Sequence, residues 1–143
     1  MGGREWRRIR EIYYKAAKKI ISRALEIGAT VIVMEDLEIH KEYMGSEELN
    51  GRLHRWSYRR FQRILEYQAK LHGLNVKYVD PRNTSRTCPA CRNEMDLSQN
   101  GRRLMRCRRC GLEWDRDVIA VKNLTHRYYE EYMDNKNLPK PPF

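Results

Sequence analysis

No run in the 143 residues approaches the roughly 20 consecutive apolar side chains that a membrane-crossing helix needs. No apolar segment behind a basic cluster opens the chain, so nothing reads as a secretory leader. Acids are in short supply: 19 Asp and Glu stand against 29 Lys and Arg, a formal net charge of +10. His40, His54, His72 and His126 fall at no metal-ligand spacing, and nothing repeats apart from two cysteine pairs. These absences argue against a membrane protein, a secreted disulfide scaffold and a histidine-built metal site. They lead us to expect a soluble, cytoplasmic protein whose thiols stay reduced. A hydrophobic fraction of 41% allows a modest core for one domain of ordinary size, or one domain with a small insertion.

All four cysteines lie in one stretch, as Cys88-x-x-Cys91 and Cys107-x-x-Cys110, with 15 residues between the pairs. That spacing suits a four-thiolate zinc site. Each pair can form a tight turn aiming two sulfurs at one ion, and a hairpin between them would complete a closed tetrahedral shell. A closed shell holds structure and leaves no position for substrate. Two disulfides, or four unrelated thiols, are the alternative.

The surplus of positive charge is clustered. Between Arg82 and Arg109 there are eight arginines and only two acids, Glu94 and Asp96. Part of that excess offsets the charge of about −2 on a zinc held by four thiolates. Arg86, Arg102, Arg103, Arg106, Arg108 and Arg109 remain as a basic lobe, and Arg52, Arg55, Arg59, Arg60 and Arg63 form a second cluster among Trp56, Tyr58 and Phe61. Such clusters attract polyanions, nucleic acid first. The rival reading is a solvated helix face in a thermally robust protein.

Along the chain, Trp6, Ile9, Ile12, Tyr13, Ala16, Ile20, Ala24 and Leu25 recur at helical steps and predict an amphipathic helix over 4–27, ended by Gly28. The β-branched run 29–34 predicts a strand covered on both faces, with Glu35 and Asp36 at its end. Residues 38–51 read as a loop, 53–72 as a helix stopped by Gly73, and 75–79 as a strand. The cysteine segment follows. A last helix over 117–133 would bury Val118, Val121, Leu124, Tyr128 and Tyr132, and Asp117 either caps it or serves as a metal ligand. The order is α/β, and acids at strand ends of such a sheet are where hard-oxygen metal sites form.

Three segments carry a resemblance: Val-Ile-Val-Met-Glu35-Asp-Leu; Val79-Asp-Pro-Arg-Asn-Thr-Ser-Arg-Thr-Cys-Pro-Ala-Cys91; and Cys107-Arg-Arg-Cys-Gly-Leu-Glu-Trp-Asp-Arg-Asp117. Together they resemble the C-terminal RuvC-type nuclease region of transposon-encoded TnpB (OrfB-type) proteins, relatives of type V CRISPR effector nucleases. The resemblance covers about residues 5–130. It implies a partial RNase H-like (RuvC) fold formed by 1–81 and 114–134 and a zinc ribbon inserted over 82–113; the tail over 135–143, with three prolines, reads by itself as disordered. The resemblance also implies structural zinc, Mg²⁺- or Mn²⁺-dependent DNA cleavage, and DNA and guide RNA as partners. Matched motif to motif, two of the family's three catalytic acids fall on Glu35 and Asp117.

Two departures shape the expectation. The family's first acid lies on a Gly-x-Asp-x-Gly strand ahead of the first helix, and these residues begin at that helix. Cleavage by this chain alone is therefore expected to be weak or absent, with a non-catalytic zinc-ribbon DNA- or RNA-binding factor as the alternative. The open edge at Val31–Met34 would favour a homodimer, or a partner chain supplying the missing strands. The family's Asp-x-Asn-Ala-Ala also reads Asp117-Val-Ile119-Ala120-Val121, an apolar side chain replacing an amide.

Overall fold

Two helices of equal length each lead into a short strand. Helix α1 (Gly3–Glu26) precedes β1 (Val31–Glu35), and α2 (Glu48–Leu71) precedes β2 (Asn75–Val79). The computed structural model describes residues 2–37 and 48–132, with the backbone alone for 48–56. The predicted tail 135–143 and most of the predicted loop 38–51 lie outside the described residues.

Both helices end in the same way. Gly28 and Gly73 take φ of +73° and +75°. Gly28 N–H donates to Leu25 O (3.1 Å) and Ala29 N–H to Ala24 O (2.9 Å); Gly73 N–H donates to Lys70 O (3.2 Å) and Leu74 N–H to Ala69 O (2.9 Å). These are paired Schellman closures, which satisfy orphan carbonyls and turn the chain out of the helix. Buried Leu74 and Ala69 share one apolar cluster, supplying the hydrophobic contact that accompanies such a cap. The turns also align the strands, since Asn75 N–H donates to Thr30 O at 2.9 Å. β1 and β2 then form a two-stranded sheet.

The core of this first unit, Met1–Tyr78, is small: Ala17, Ile21 and Ala24 from α1, Met34 from β1, Leu65 and Ala69 from α2, and Leu74. Three of these seven are alanines, which let helix backbones approach closely. Tyr13 meets Phe61 edge-on at 5.4 Å, and its hydroxyl hydrogen-bonds Ser57. Of the predicted stripe on α1, Ala24 is buried and the rest is displaced or only half-buried. Ile12, Ile20 and Leu25 are exposed, because the buried line runs one residue further along, through Ala17 and Ile21. β1 is not covered on both faces within the unit. Only Met34 is buried, and Ile32 joins it at the core. The second helix begins at Glu48, not 53, so Asn50 and Gly51 lie inside it; low-propensity residues weaken a helix by about 1 kcal/mol or less each and do not forbid it.

The second unit, Val79–Phe143, holds three antiparallel strands in the order β3 (Met95–Leu97), β4 (Leu104–Cys107) and β5 (Glu113–Asp115), followed by α3 (Arg116–Tyr132). Met95 pairs with Cys107, and Met105 with Trp114. The cluster beneath is Cys88, Met95, Met105, Cys107 and Ile119, flanked by Cys91, Leu112 and Trp114. On α3 the buried residues are Ile119 and Asn123; Val118, Val121 and Tyr132, expected inside, are exposed.

A Cβ at Gly73 would meet nothing within 4 Å, so its positive φ alone opposes substitution. Gly73→Ala should therefore destabilise the chain by about 1 kcal/mol through the backbone alone. A lowered urea midpoint with unchanged slope is the expected readout.

Candidate metal centre

The two cysteine pairs fold into matching turns. Cys88 N–H donates to Asn93 O (2.8 Å) and Arg92 N–H to Cys88 O (2.9 Å); at the same offsets Cys107 N–H donates to Leu112 O (2.9 Å) and Gly111 N–H to Cys107 O (3.0 Å). Closing each turn needs a left-handed residue after the second cysteine. Gly111 supplies it at φ +76°, whereas the first turn uses Arg92 at φ +64°. A non-glycine residue there costs roughly 1–2 kcal/mol. Arg92 is tied down elsewhere: its guanidinium donates to Glu130 on α3 at 2.9 Å and approaches the Asn123 side-chain oxygen at 3.5 Å.

All four sulfurs lie within 4.8 Å of one another. Cys88 and Cys110 Sγ are 3.6 Å apart, and Cys91 and Cys107 Sγ 3.4 Å. A disulfide would need about 2.0 Å, and all four are free thiols. Around an ion with bonds of about 2.3 Å, a tetrahedron of sulfurs has edges of about 3.8 Å. The cluster can therefore hold a metal ion such as zinc, and it is the one such cluster of Cys, His, Asp and Glu among the described residues. The environments of the thiols differ. Burial pushes the Cys88 thiol up to about 12, against N–H groups of Cys91 and Ala90 that favour its thiolate. Donation by the Asn93 backbone and side chain brings Cys91 down to about 6. A thiolate-binding cation compensates the first and exploits the second.

Asn123 fixes the approach to the first turn. It is buried, and its side-chain NH₂ donates to the carbonyls of Thr84 (2.6 Å) and Thr87 (2.7 Å). Thr84 is buried as well, with its hydroxyl donating to Pro81 O at 2.8 Å. The Thr84–Thr87 segment is therefore a turn fastened to α3. Trp114 packs at the cysteine cluster, with the Lys122 ammonium 4.1 Å from its ring centroid.

The acids after β5 divide their roles. Asp115 Oδ1 accepts the Asp117 N–H at 2.8 Å, so Asp115 is the N-cap of α3 and Asp117 lies in its first turn. Asp117 is exposed and forms an ion pair with Arg103, which also lies 3.8 Å from Asp115. Glu35 is the last residue of β1, in the first unit, and its carbonyl accepts from the Gln62 side chain at 2.9 Å.

The predicted arginines have varied settings. In the second unit Arg86, Arg102, Arg106 and Arg109 are exposed, and Arg108 pairs with Asp96. In the first, Arg60 stacks 4.0 Å over Trp6, Arg59 is half-buried and Arg63 exposed. The side chains of Arg52 and Arg55, like that of Trp56, lie outside the described residues. Of the histidines, His72 donates from Nδ1 to Gln68 O at 2.8 Å, and burial with Arg92 nearby lowers the pKa of His126.

Replacing Asn123 with Asp or Leu removes both N–H donors and leaves the Thr84 and Thr87 carbonyls without them. A loss of about 1–3 kcal/mol is expected, seen in the denaturation midpoint and in faster amide exchange over 84–93.

Comparisons with known proteins agree with this arrangement. Residues 58–124 match the Cas12f1-like TNB domain. A TnpB-like protein of Methanocaldococcus jannaschii is 41% identical over 85% of this chain and 44% of its own length. The CRISPR-associated endodeoxyribonuclease Cas12f1 of Sulfoacidibacillus thermotolerans is 31% identical over 78% of this chain and 25% of its own. The fold is like that in a cryo-EM structure of a Cas12f1–sgRNA–target DNA complex, with a TM-score of 0.64 and 21% identity over 85% of this chain and 34% of that one. The chain thus spans less than half the length of these relatives. Its cysteine turns, its α/β elements and its sequence place it in the TnpB-like family, with a Cas12f1-like TNB domain over residues 58–124.

Proposed function

We propose that this chain is the nucleic-acid-binding, RuvC-like nuclease portion of a transposon-associated TnpB-type protein. In this reading its α/β elements are part of an RNase H-like fold, residues 82–113 are the inserted ribbon, and the ion at the four cysteines is structural zinc. Glu35 and Asp117 are the chain's two acids for Mg²⁺ or Mn²⁺, and DNA with a guide RNA is the partner. The observation that carries the reading is the placement of those acids. Glu35 is the last residue of β1 and Asp117 lies in the first turn of α3, positions that support the reading.

The chemistry divides between hard and soft ligands. Cysteine thiolates suit zinc, and a complete shell of four leaves it no role but to hold the ribbon. Carboxylates suit Mg²⁺ or Mn²⁺, which when bound would activate water and neutralise the leaving oxygen of a phosphodiester. The chain's own residues would keep two carboxylates ready and neutralise backbone phosphates with the exposed ribbon arginines. Asp115, as the cap, keeps Asp117 in the first turn of α3.

One observation favours the second reading, a zinc-ribbon DNA- or RNA-binding factor without catalysis. Ile119, where the resembled motif carries an amide, is fully buried beside the cysteines and offers a metal nothing.

Labelled single- and double-stranded DNA incubated with Mg²⁺ or Mn²⁺ should be cleaved weakly at most by the chain, which holds two of the three acids, and any cleavage should disappear in Asp117→Ala. Equal cleavage by both would remove Asp117 from the site, and salt-sensitive binding without cleavage would favour the second reading. Binding should weaken with salt, and replacing Arg102, Arg106 and Arg109 with Gln should reduce the log–log slope on duplex DNA by about 2–3. Stripping the metal should release zinc at one ion per chain and abolish amide protection over 86–113, because metal binding supplies the folding energy of so small a lobe.

A further inference from the structure

At the end of β1, within the first unit, Asp36, Arg59, Gln62, Arg63, Glu66 and Tyr78 line a cavity of about 240 Å³. Its walls are fixed. The Gln62 side chain donates to Glu35 O at 2.9 Å, holding α2 at the end of β1. Tyr78 O–H donates to Glu66 at 2.8 Å, and Glu66 also accepts from Lys70 at 2.9 Å. Burial and the Glu66 carboxylate hold the Tyr78 phenol well above its usual range, so it remains a donor. The Lys70 and Tyr78 hydrogen bonds hold Glu66 below its usual range, and it stays ionised.

Two features decide what such a cavity takes. It is smaller than the roughly 300–1,000 Å³ of most small-molecule pockets, so it suits one planar fragment. Its charge is balanced: Arg59 and Arg63, one helical turn apart, face Asp36 and Glu66. A phosphate would gain from the arginines and lose as much to the carboxylates. A nucleobase edge presenting both acceptors and donors has no such conflict. Guanine offers O6 and N7 to an arginine, the commonest base contact that guanidinium makes. Its N1–H and N2 amine are donors for carboxylates, and a phenol ring is a natural flanking surface.

We propose that this cavity is a base-reading pocket for a single unpaired guanine, adjoining the strand end that carries Glu35. Arg59 or Arg63 addresses O6 and N7, and Asp36 accepts from N1–H and the N2 amine. The inference rests on the nucleic-acid-binding function proposed above and adds a base preference to it.

The test uses the whole chain and fluorescence anisotropy with short labelled oligothymidines carrying one central guanine, adenine, cytosine or thymine. The guanine oligomer should bind about tenfold or more tightly than the others. Inosine at that position, lacking the N2 amine, and 7-deazaguanine, lacking N7, should each lose much of the gain. Asp36→Asn should abolish the preference while leaving binding to plain oligothymidine unchanged. Equal affinity for all four bases would overturn the base-reading pocket and leave nucleic-acid binding standing. Failure of every oligomer to bind would overturn both. A guanine preference that survives in Asp36→Asn and with 7-deazaguanine would place the recognition elsewhere and also refute the pocket.

Discussion

The second unit depends on bringing four sulfurs to one point from turns separated by 15 residues. Hydrogen-bond geometry at each turn is what makes this possible. An N–H-to-carbonyl bond spanning five residues reverses the chain around each Cys-x-x-Cys, and both turns require a left-handed residue just after. Between them the β3–β4 pair sets the register that presents Cys107 opposite Met95. The sulfur cluster then doubles as core: Cys88 and Cys107 are as buried as Ile119. Metal site and apolar cluster are therefore one object, and the small lobe has little else to hold it together.

α3 is joined to that object through polar contacts. Asn123 satisfies two carbonyls of the turn before Cys88, Glu130 holds the Arg92 guanidinium, and Asp115 turns the end of β5 into a helix N-cap. The candidate acid Asp117 thus begins a helix fastened at several points to the cysteine turns. Its exposed pairing with Arg103 is of a type worth roughly 0–1 kcal/mol, which a divalent cation or a phosphate competing for the arginine can displace.

The features legible in the sequence were those with a local cause. The cysteine spacing anticipated the sulfur cluster, and Gly28 and Gly73 marked helix ends because positive φ favours glycine there. Strand β2 and the start of α3 were legible for similar reasons. What sequence missed depends on neighbours. Helical periodicity on α1 allows two adjacent stripes, and packing selected the line through Ala17 and Ile21 rather than the one through Ile12 and Ile20, with Ala24 buried as the spacing predicts. On α3 the spacing of Val118 and Val121 resembled a buried face, but the cysteine cluster claimed Ile119 instead. Asn123 gave no signal beyond being an amide in a helix, since its partners lie 36 and 39 residues away. Arg92 in a left-handed conformation was hidden too, and only the parallel with Gly111 could have suggested it.

The paired helix closures ahead of β1 and β2 act as a reading frame for the sheet. Asn75 is joined to Thr30, so each strand starts at a fixed count from its glycine. Strand side chains alternate between faces, and one residue inserted between Gly73 and Asn75 would present Asn75 and Lys77 to the core in place of Val76 and Tyr78. The length of those two turns is therefore more tightly constrained than the identity of most residues around them. Over evolutionary time, insertions and deletions should be excluded there while ordinary substitutions accumulate nearby.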